Sequence, residues 1–303
     1  PALAEIFNHS GWLLMRSVLE IAQWVSARPV AFYIPQLSVL QCAALYLAIG
    51  LAAWGLSLSG SLRRRLAGLS LSIIIAGAAF WPKADRSCRI TVLPTGGAST
   101  FVDQPGAAND LLVDCGNSME TDFIVTRFLQ AKGINTLPNF LLTHGDVAHV
   151  DGADKIISGF SVPYVYLNPL ATRSPRYRQI SAWMDQWPSR KLLISPGEEV
   201  AGFQVLHPSG EERSRRGDDN ATVLAGTQYG WRVLLLSDLG RSGQAALMGR
   251  AGENALQADV VFAGLPNVGE PLEPALLSAI KPRAVIIQDR GFGRPGRAPK
   301  ILR

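Results

Sequence analysis

The chain has little of the side-chain chemistry that most readily assigns a class. Its three cysteines include no Cys-x-x-Cys pair, which excludes the common cysteine-rich zinc sites. It has only four histidines in 303 residues, so any metal site must use few imidazoles. After residue 82 the charge is nearly balanced, with 24 basic against 22 acidic side chains, so bulk attraction to nucleic acid is weak.

Apolar residues are abundant by contrast, and they are concentrated in the first eighty positions. The hydrophobic fraction is 48% and the mean hydropathy is +0.15. Leu37 to Leu58 has no charged side chain, and roughly 20 such residues cross a bilayer. Leu66 to Trp81 is a shorter apolar run. We therefore predict a transmembrane helical hairpin over 37–58 and 66–81, the alternative being two buried core helices joined by a basic turn.

The basic turn of this hairpin sets its predicted orientation. Arg63, Arg64 and Arg65 follow one another in the short connection, and short cationic loops stay in the cytoplasm. Everything after Pro82 is then expected on the extracytoplasmic side of the membrane. The chain divides into a membrane region, 1–82, and a second domain, 83–303.

A further helix is predicted before the hairpin, over about 12–27. Leu14, Val18, Ile21 and Val25 recur at helical spacing, which indicates an amphipathic helix at the membrane interface. No cleavable signal peptide is evident at Pro1, and the chain reads as a part of a longer protein.

From Cys88 onward, short β-rich runs alternate with helical segments. Two strand-rich halves of this kind predict an α/β fold in which two sheets pack face to face with helices outside. A disulfide between Cys88 and Cys115 is permitted by the expected compartment but not required. Gly96-Gly97 reads as a hairpin turn, because no Lys-Ser/Thr follows to form a phosphate loop.

The segment from Leu141 to Gly152 carries the strongest chemical signal. An apolar strand runs into a turn with two imidazoles and several carboxylates, in the order His144-x-Asp146-x-x-His149. Such a strand end is suited to binding a metal ion.

Four motifs in order resemble the metallo-β-lactamase fold and, more narrowly, the C-terminal domain of ComEC-type competence proteins, which are membrane channels for uptake of single-stranded DNA. The motifs are Asp114-Cys115-Gly116, His144-x-Asp146-x-x-His149, Asp219-Asn220-Ala221-Thr222-Val223 and Leu236-Ser237-Asp238. The resemblance implies an αββα sandwich preceded by the interfacial helix and the hairpin. It covers nearly the whole chain.

The resemblance also implies roles for individual residues. His144, Asp146, His149 and Asp238 would be metal ligands, with Asp146 and Asp238 as the catalytic carboxylates. Asp114 would brace the ligand loops by hydrogen bonding, and Asn220 would present a polar group to the cleft.

Two departures from the family pattern limit the metal content. Ala148 stands where an aspartate is usual before the second histidine, and Asn267 lies where a histidine is usual. The remaining ligands suit at most one ion, zinc or manganese, and the alternative is a site without metal. Asp151 is expected to cap the helix that follows it rather than to bind metal.

Basic residues near the chain end are the candidates for DNA contact, namely Arg290, Arg294, Arg297 and Lys300, since no acid lies among them. His207, before Pro208, is expected to be a loop residue, and the arginines at 213, 215 and 216 to be solvated.

The sequence therefore supports three hypotheses. The first is the C-terminal part of a ComEC-like uptake protein that handles or hydrolyses DNA in transit, with the membrane, the rest of the channel and other competence proteins as partners. The second is a non-catalytic scaffold of that channel, and the third is a membrane-tethered hydrolase of small esters. Whether the domain is a metal-dependent phosphodiesterase depends on whether an ion is retained.

Overall fold

The structure is a computed structural model that describes residues 2–26, 32–57, 62–79, 87–170, 174–208, 214 and 216–288. Its helices are α1 (Ala2–Ser26), α2 (Val39–Ser57), α3 (Leu62–Ala79), α4 (Ser118–Glu120), α5 (Thr126–Ala131), α6 (Val147–Val150), α7 (Ala153–Gly159), α8 (Pro175–Met184), α9 (Arg241–Arg250), α10 (Glu253–Leu256) and α11 (Pro274–Ile280). A π-helical turn, Thr121–Val125, joins α4 to α5, and Asp218–Asn220 form a 3-10 turn.

The strands are short and come in two groups. The first sheet contains β1 (Arg89–Val92), β2 (Thr100–Asp103), β3 (Leu111–Val113), β4 (Asn139–Leu142), β5 (Tyr164–Leu167) and β6 (Lys191–Leu193). The second contains β7 (Glu199–Val200), β8 (Phe203–His207), β9 (Val223–Gln228), β10 (Trp231–Ser237), β11 (Val260–Ala263) and β12 (Ala284–Ile287).

The three N-terminal helices lie where the sequence predicts helices, with different bounds. Helix α1 begins at Ala2, ten residues before the predicted amphipathic segment. Helices α2 and α3 pack against each other at two glycines: a Cβ built on Gly68 would lie 3.1 Å from Cα of Gly55. Because neither position carries a side chain, the two helix backbones can lie close together.

The transmembrane character of the hairpin is not supported. Across the described helices, none combines the length and the apolar content needed to cross a membrane. The predicted basic loop is one reason: Arg63, Arg64 and Arg65 belong to the first turns of α3 and place three cations within that helix.

The segment between α1 and the hairpin docks on the second domain. The backbone amide of Tyr33 donates to Oδ1 of Asn135 at 2.7 Å, and the amide of Gln36 donates to the carbonyl of Ala131 at 2.8 Å. Gly133 has a φ of +74°, and Pro35 lies where a side chain at 133 would point. The position therefore requires glycine.

Each six-stranded sheet combines parallel and antiparallel pairing. In the first sheet β1, β2 and β3 are antiparallel neighbours, and β3 to β6 run parallel. In the second sheet β10, β11 and β12 run parallel, while β7 to β10 are antiparallel neighbours.

Three separate apolar cores show that the domain has four layers. The first core joins strands of the first sheet to α5, α7 and α8, through residues such as Phe140 and Ile156. The second joins the two sheets, as where Leu141 and Phe203 pack in one cluster. The third joins the second sheet to α9 and α11, through residues such as Leu234 and Leu247. The predicted αββα sandwich is therefore confirmed.

A π-helical turn precedes α5, and in it Thr121 packs against Gly152 and donates to the carbonyl of Cys115. One local prediction is wrong. Asp151 does not cap α7; its Oδ2 accepts from the amide of Ser118, at the start of α4. Cys88 and Cys115 are both free thiols.

Candidate metal centre

The predicted ligands meet at one edge of the sandwich because of strand direction. Asp114 follows β3, His144 follows β4, and Asp238 follows β10. Strands β3 and β4 are parallel, so their carboxyl ends lie side by side. The facing sheet brings the end of β10 to the same place, and Thr143 and Ser237 from the two sheets approach to 3.1 Å between hydroxyl oxygens.

Asp114 is fully buried and braces both histidine loops. Its Oδ1 accepts from the amide of Thr143 at 2.9 Å, and its Oδ2 accepts from the hydroxyl of Thr143 at 2.7 Å and from Nδ1 of His149 at 2.8 Å. It has a left-handed backbone with a φ of +57°, and Ser237 has a φ of +52°. Two such residues facing each other place backbone strain at the centre of the site.

His149 lies between two carboxylates and donates from both ring nitrogens. Nδ1 donates to Asp114, and Nε2 donates to Oδ2 of Asp238 at 2.9 Å. Burial alone lowers the pKa of His149, but Asp238 and Asp114 outweigh it and hold that pKa well above its usual value. Burial likewise raises the pKa of Asp238, yet His149 and His144 together bring it below its usual range.

His144 is the one histidine of the cluster with a nitrogen available. Because the hydroxyl of Thr143 donates to Asp114, its oxygen accepts from Nδ1 of His144 at 3.1 Å. In the neutral form of His144 the lone pair is therefore on Nε2. That atom is buried and, among the residues that the structure describes, has no hydrogen-bond partner; it lies 3.4 Å from Oδ1 of Asp238 and 3.8 Å from Oδ1 of Asp218.

Asp146, two residues after His144, and Asp218, from a separate turn, complete the cluster. Asp146 is the N-cap of α6, and its Oδ1 accepts from the amide of Ala148 at 3.1 Å. Asp218 lies in the 3-10 turn, and its pKa is raised by burial and by the neighbouring charge of Asp238. The side-chain amide of Asn267 lies within 3.5 Å of an oxygen of each acid.

Two overlapping groups of these residues could hold a metal ion. One is His144, His149 and Asp238, and the other is His144, Asp146 and Asp218; in each, the ligand atoms lie within 4.8 Å of one another. His149 has both nitrogens in hydrogen bonds, whereas His144 has an unpartnered Nε2. An imidazole lone pair beside carboxylate oxygens is a donor set that fits a divalent ion, and the second group fits best.

The remaining predicted residues lie outside this cluster. Both side-chain groups of Asn220 bond the backbone of Ser214 and Arg216, so Asn220 shapes the neighbouring loop. Asp219, in the same motif, accepts from the amides of Ser242 and Gly243 at the start of α9. The basic residues at 290, 294, 297 and 300, like those at 213 and 215, fall outside the described residues.

His207 is a buried histidine rather than an open loop residue. It is 1% exposed, and its Nε2 donates to the carbonyl of Asp219 at 2.9 Å. Nη2 of Arg250 lies 3.0 Å from its Nδ1. His207 therefore connects β8 to the loop that holds Asp218.

Sequence reasoning missed Asp218 and Asn168. Asp218 precedes the predicted motif by one residue, and the only signal for it was the acid pair 218–219. Asn168, at the end of β5, donates to the carbonyls of Thr143 and Asn220 and thereby ties the two sheets together beneath the site. Nothing in the local sequence marks that role.

The described domain is thus an αββα sandwich that brings histidines and aspartates together at the carboxyl ends of its strands. No family profile matches the chain, and no curated protein matches it. Among solved structures, it is similar to a metallo-β-lactamase from Hirschia baltica, at 15% identity over 63% of this chain and 89% of the other, with a TM-score of 0.39. It is also similar to CmlA, a diiron β-hydroxylase from Streptomyces venezuelae, at 16% identity over 85% of this chain and 54% of the other, with a TM-score of 0.42. At such TM-scores, neither similarity bears on what the chain does.

Proposed function

We propose that this chain is the C-terminal part of a ComEC-like DNA-uptake protein, and that its αββα domain binds one divalent ion and hydrolyses or trims DNA in transit. The observation that carries the proposal is the buried, unpartnered Nε2 of His144, with carboxylate oxygens of Asp238 and Asp218 at 3.4 and 3.8 Å. A buried nitrogen without a partner is costly in a folded protein unless a ligand uses it.

His144, Asp146 and Asp218 would hold the ion. A divalent ion in this position supplies a Lewis acid that polarises a phosphoryl oxygen. Asp114 fixes the ring of His149 and the hydroxyl of Thr143, and Thr143 in turn fixes the tautomer of His144. Asp238 is the carboxylate of the cluster nearest to Nε2 of His144 and is held in place by His149.

The number of ions is the second part of the proposal. The two donor groups share His144, and the proton on Nε2 of His149 is engaged with Asp238. A second ion would have to break that buried pair. We therefore propose a single zinc or manganese ion rather than a binuclear centre.

Metal analysis of the full chain tests this proposal. We expect close to one equivalent of zinc or manganese, lost in His144→Ala and retained in Asn135→Ala, whose side chain bonds the carbonyls of Tyr33 and Gly133 outside the cluster. Metal content below a tenth of an equivalent after incubation with either ion would refute the metal site. Cleavage of a labelled single strand, abolished by chelator and by His144→Ala, tests the hydrolytic part.

A non-catalytic scaffold is the second candidate, favoured by a different observation. The charges of Asp114, His149 and Asp238 already satisfy one another through hydrogen bonds, so the centre of the site is complete without an ion. This candidate predicts no bound metal and no cleavage, with salt-sensitive binding of single strands retained.

DNA contact and location remain proposals as well. We propose that Arg290, Arg294, Arg297 and Lys300 bind DNA phosphates, so that replacing all four by alanine weakens single-strand binding and reduces its salt dependence. A small-ester hydrolase would show no such binding.

We also propose attachment to the bacterial inner membrane with the domain on the extracytoplasmic side, alongside the rest of the channel and other competence proteins. Exposed apolar side chains on α1, α2 and α3 support this location. Co-flotation of the full chain with lipid vesicles tests it, and recovery in the vesicle-free fraction would contradict it.

A further inference from the structure

The loop after β11 places one asparagine against two of the proposed ligands. The backbone amide of Asn267 donates to Oδ2 of Asp218 at 2.7 Å. Its side-chain Nδ2 lies 3.4 Å from Oδ1 of Asp218 and 3.5 Å from Oδ2 of Asp146. Asn267 is itself exposed, so its amide reaches inward from the rim of the site.

Asn267 provides most of the hydrogen-bond donors to these two carboxylates. Each of their four oxygens has a protein donor within hydrogen-bond distance: the amide of Ala148 serves Oδ1 of Asp146, and Asn267 serves the other three. A donor near a carboxylate oxygen stabilises the negative charge that would otherwise attract a cation.

One of these oxygens is the atom that faces the available histidine nitrogen. Oδ1 of Asp218 lies 3.8 Å from Nε2 of His144 and 3.4 Å from Nδ2 of Asn267. Nε2 of His144 is buried and has no hydrogen-bond partner, so the amide and any cation at this position would use the same oxygen. The Asn267 amide and a cation are thus competitors.

We infer that the side-chain amide of Asn267 lowers the affinity of this site for a divalent cation by donating to the carboxylate oxygens of Asp146 and Asp218 that the cation uses; this inference rests on the proposed metal site. Hydrogen bonds that exist only in the metal-free state stabilise that state, and by linkage they weaken metal binding by the same factor. Asn267 is in this sense a positioning residue that holds the two acids in place without an ion.

Asn267→Ala isolates this effect, because alanine removes the side-chain amide, keeps the backbone donor to Asp218 and adds no ligand. In the full chain, we expect manganese to bind about tenfold more tightly to Asn267→Ala than to the natural chain, measured by titration calorimetry. We also expect the metal-free variant to melt a few degrees lower, with most of this loss recovered at saturating manganese.

Asn135→Ala is the matched control. The Asn135 amide also donates two hydrogen bonds, to the carbonyls of Tyr33 and Gly133 at 2.9 and 3.0 Å, but it lies outside the proposed site. The Asn135→Ala variant should have a lower melting temperature with and without manganese, and its dissociation constant for manganese should be unchanged. A residue with only a structural role would behave in this way.

The possible results separate the inference from the proposed function. Equal or weaker manganese binding by Asn267→Ala, with binding by the natural chain, overturns the inference and leaves the metal site standing. Binding by Asn267→Ala alone supports the inference and refutes a metal-loaded natural chain. Absence of binding in both overturns both.

Discussion

Nε2 of His149 lies 2.9 Å from Oδ2 of Asp238, although the two residues are 89 positions apart in the chain. Both are buried, and Asp114 holds the other nitrogen of the same ring. This relationship joins the loop after β4 to the end of β10. The residues of the site therefore contribute to the stability of the domain as well as to any chemistry there.

Asp238→Asn should be strongly destabilising. The change leaves the buried His149 with one carboxylate instead of two, and breaking a buried pair from one side costs about 3 kcal/mol or more. Urea denaturation followed by tryptophan fluorescence measures the loss. Asp259→Asn is a matched control, since Asp259 accepts one backbone hydrogen bond, from the amide of Arg232, and faces no histidine. A loss below about 1 kcal/mol for Asp238→Asn would contradict the pairing.

The pH dependence of stability should include a contribution from Asp110. Burial, opposed by a hydrogen bond from the Gln104 amide, raises the pKa of Asp110 to about 6. Because the pKa of Asp110 is higher in the folded than in the unfolded protein, its contribution to stability is fully present below about pH 4. That contribution is lost as pH rises through 6.

Asp110→Asn tests this contribution, because its amide oxygen can still accept from Gln104. The variant should match the natural chain at pH 4 and be about 1 kcal/mol more stable at pH 7.5, allowing for solvent screening. The pKa of His149 is also raised, so both proteins lose its contribution as pH rises above about 6.5. If Asp110→Asn is more stable than the natural chain by the same amount at pH 4 and at pH 7.5, the pH-dependent contribution does not come from Asp110.

Gly97→Ala should disrupt the His149 loop, whereas Gly96→Ala should be tolerated. A Cβ at position 97 would lie 1.9 Å from the carbonyl oxygen of Ala148, which is backbone and cannot move aside alone. At position 96 the nearest atom is the end of the Glu120 side chain, at 3.4 Å. We expect a loss of about 3 kcal/mol or more for the first variant and below about 1 kcal/mol for the second, from chemical denaturation. Equal effects would show that the close approach is absent.

Ala148→Asp combined with Asn267→His should raise the metal stoichiometry. The two changes add a carboxylate and an imidazole beside His149 and Asp146, which supplies the donors that a second ion needs. Elemental analysis should give close to two equivalents of zinc, against one or none for the natural chain. If the double variant binds no more metal than the natural chain, the placement of these two positions at the ion site is wrong.

Several features of this protein were predictable because they depend on local sequence. The strands that flank the site show short β-rich runs bounded by turn residues. The order of the four motifs predicted the αββα layers and the carboxylates and imidazoles at the strand ends. The helical segments of the first eighty residues follow from apolar content, although Arg63 to Arg65 lie within α3 and not in a loop.

Other features required the tertiary structure because they arise from contacts between distant segments. Asp218 became part of the site only when the turn before β9 packed beside β4, and Asp219, its neighbour, was instead used to hold α9. Asp151 does not cap α7 as expected, because Arg176 and the backbone amide at the start of α4 bind its carboxylate.

The sequence by itself determined which residue types are available at the strand ends, because periodicity and turn chemistry are local. Only the tertiary structure decided how they are used: that His149 is held between two carboxylates, that His144 keeps an unpartnered nitrogen, and that Asn267 reaches both nearby acids. The physical reason is that a hydrogen bond or a ligand position depends on distances of a few ångströms between loops, and these distances are set by the packing of two sheets.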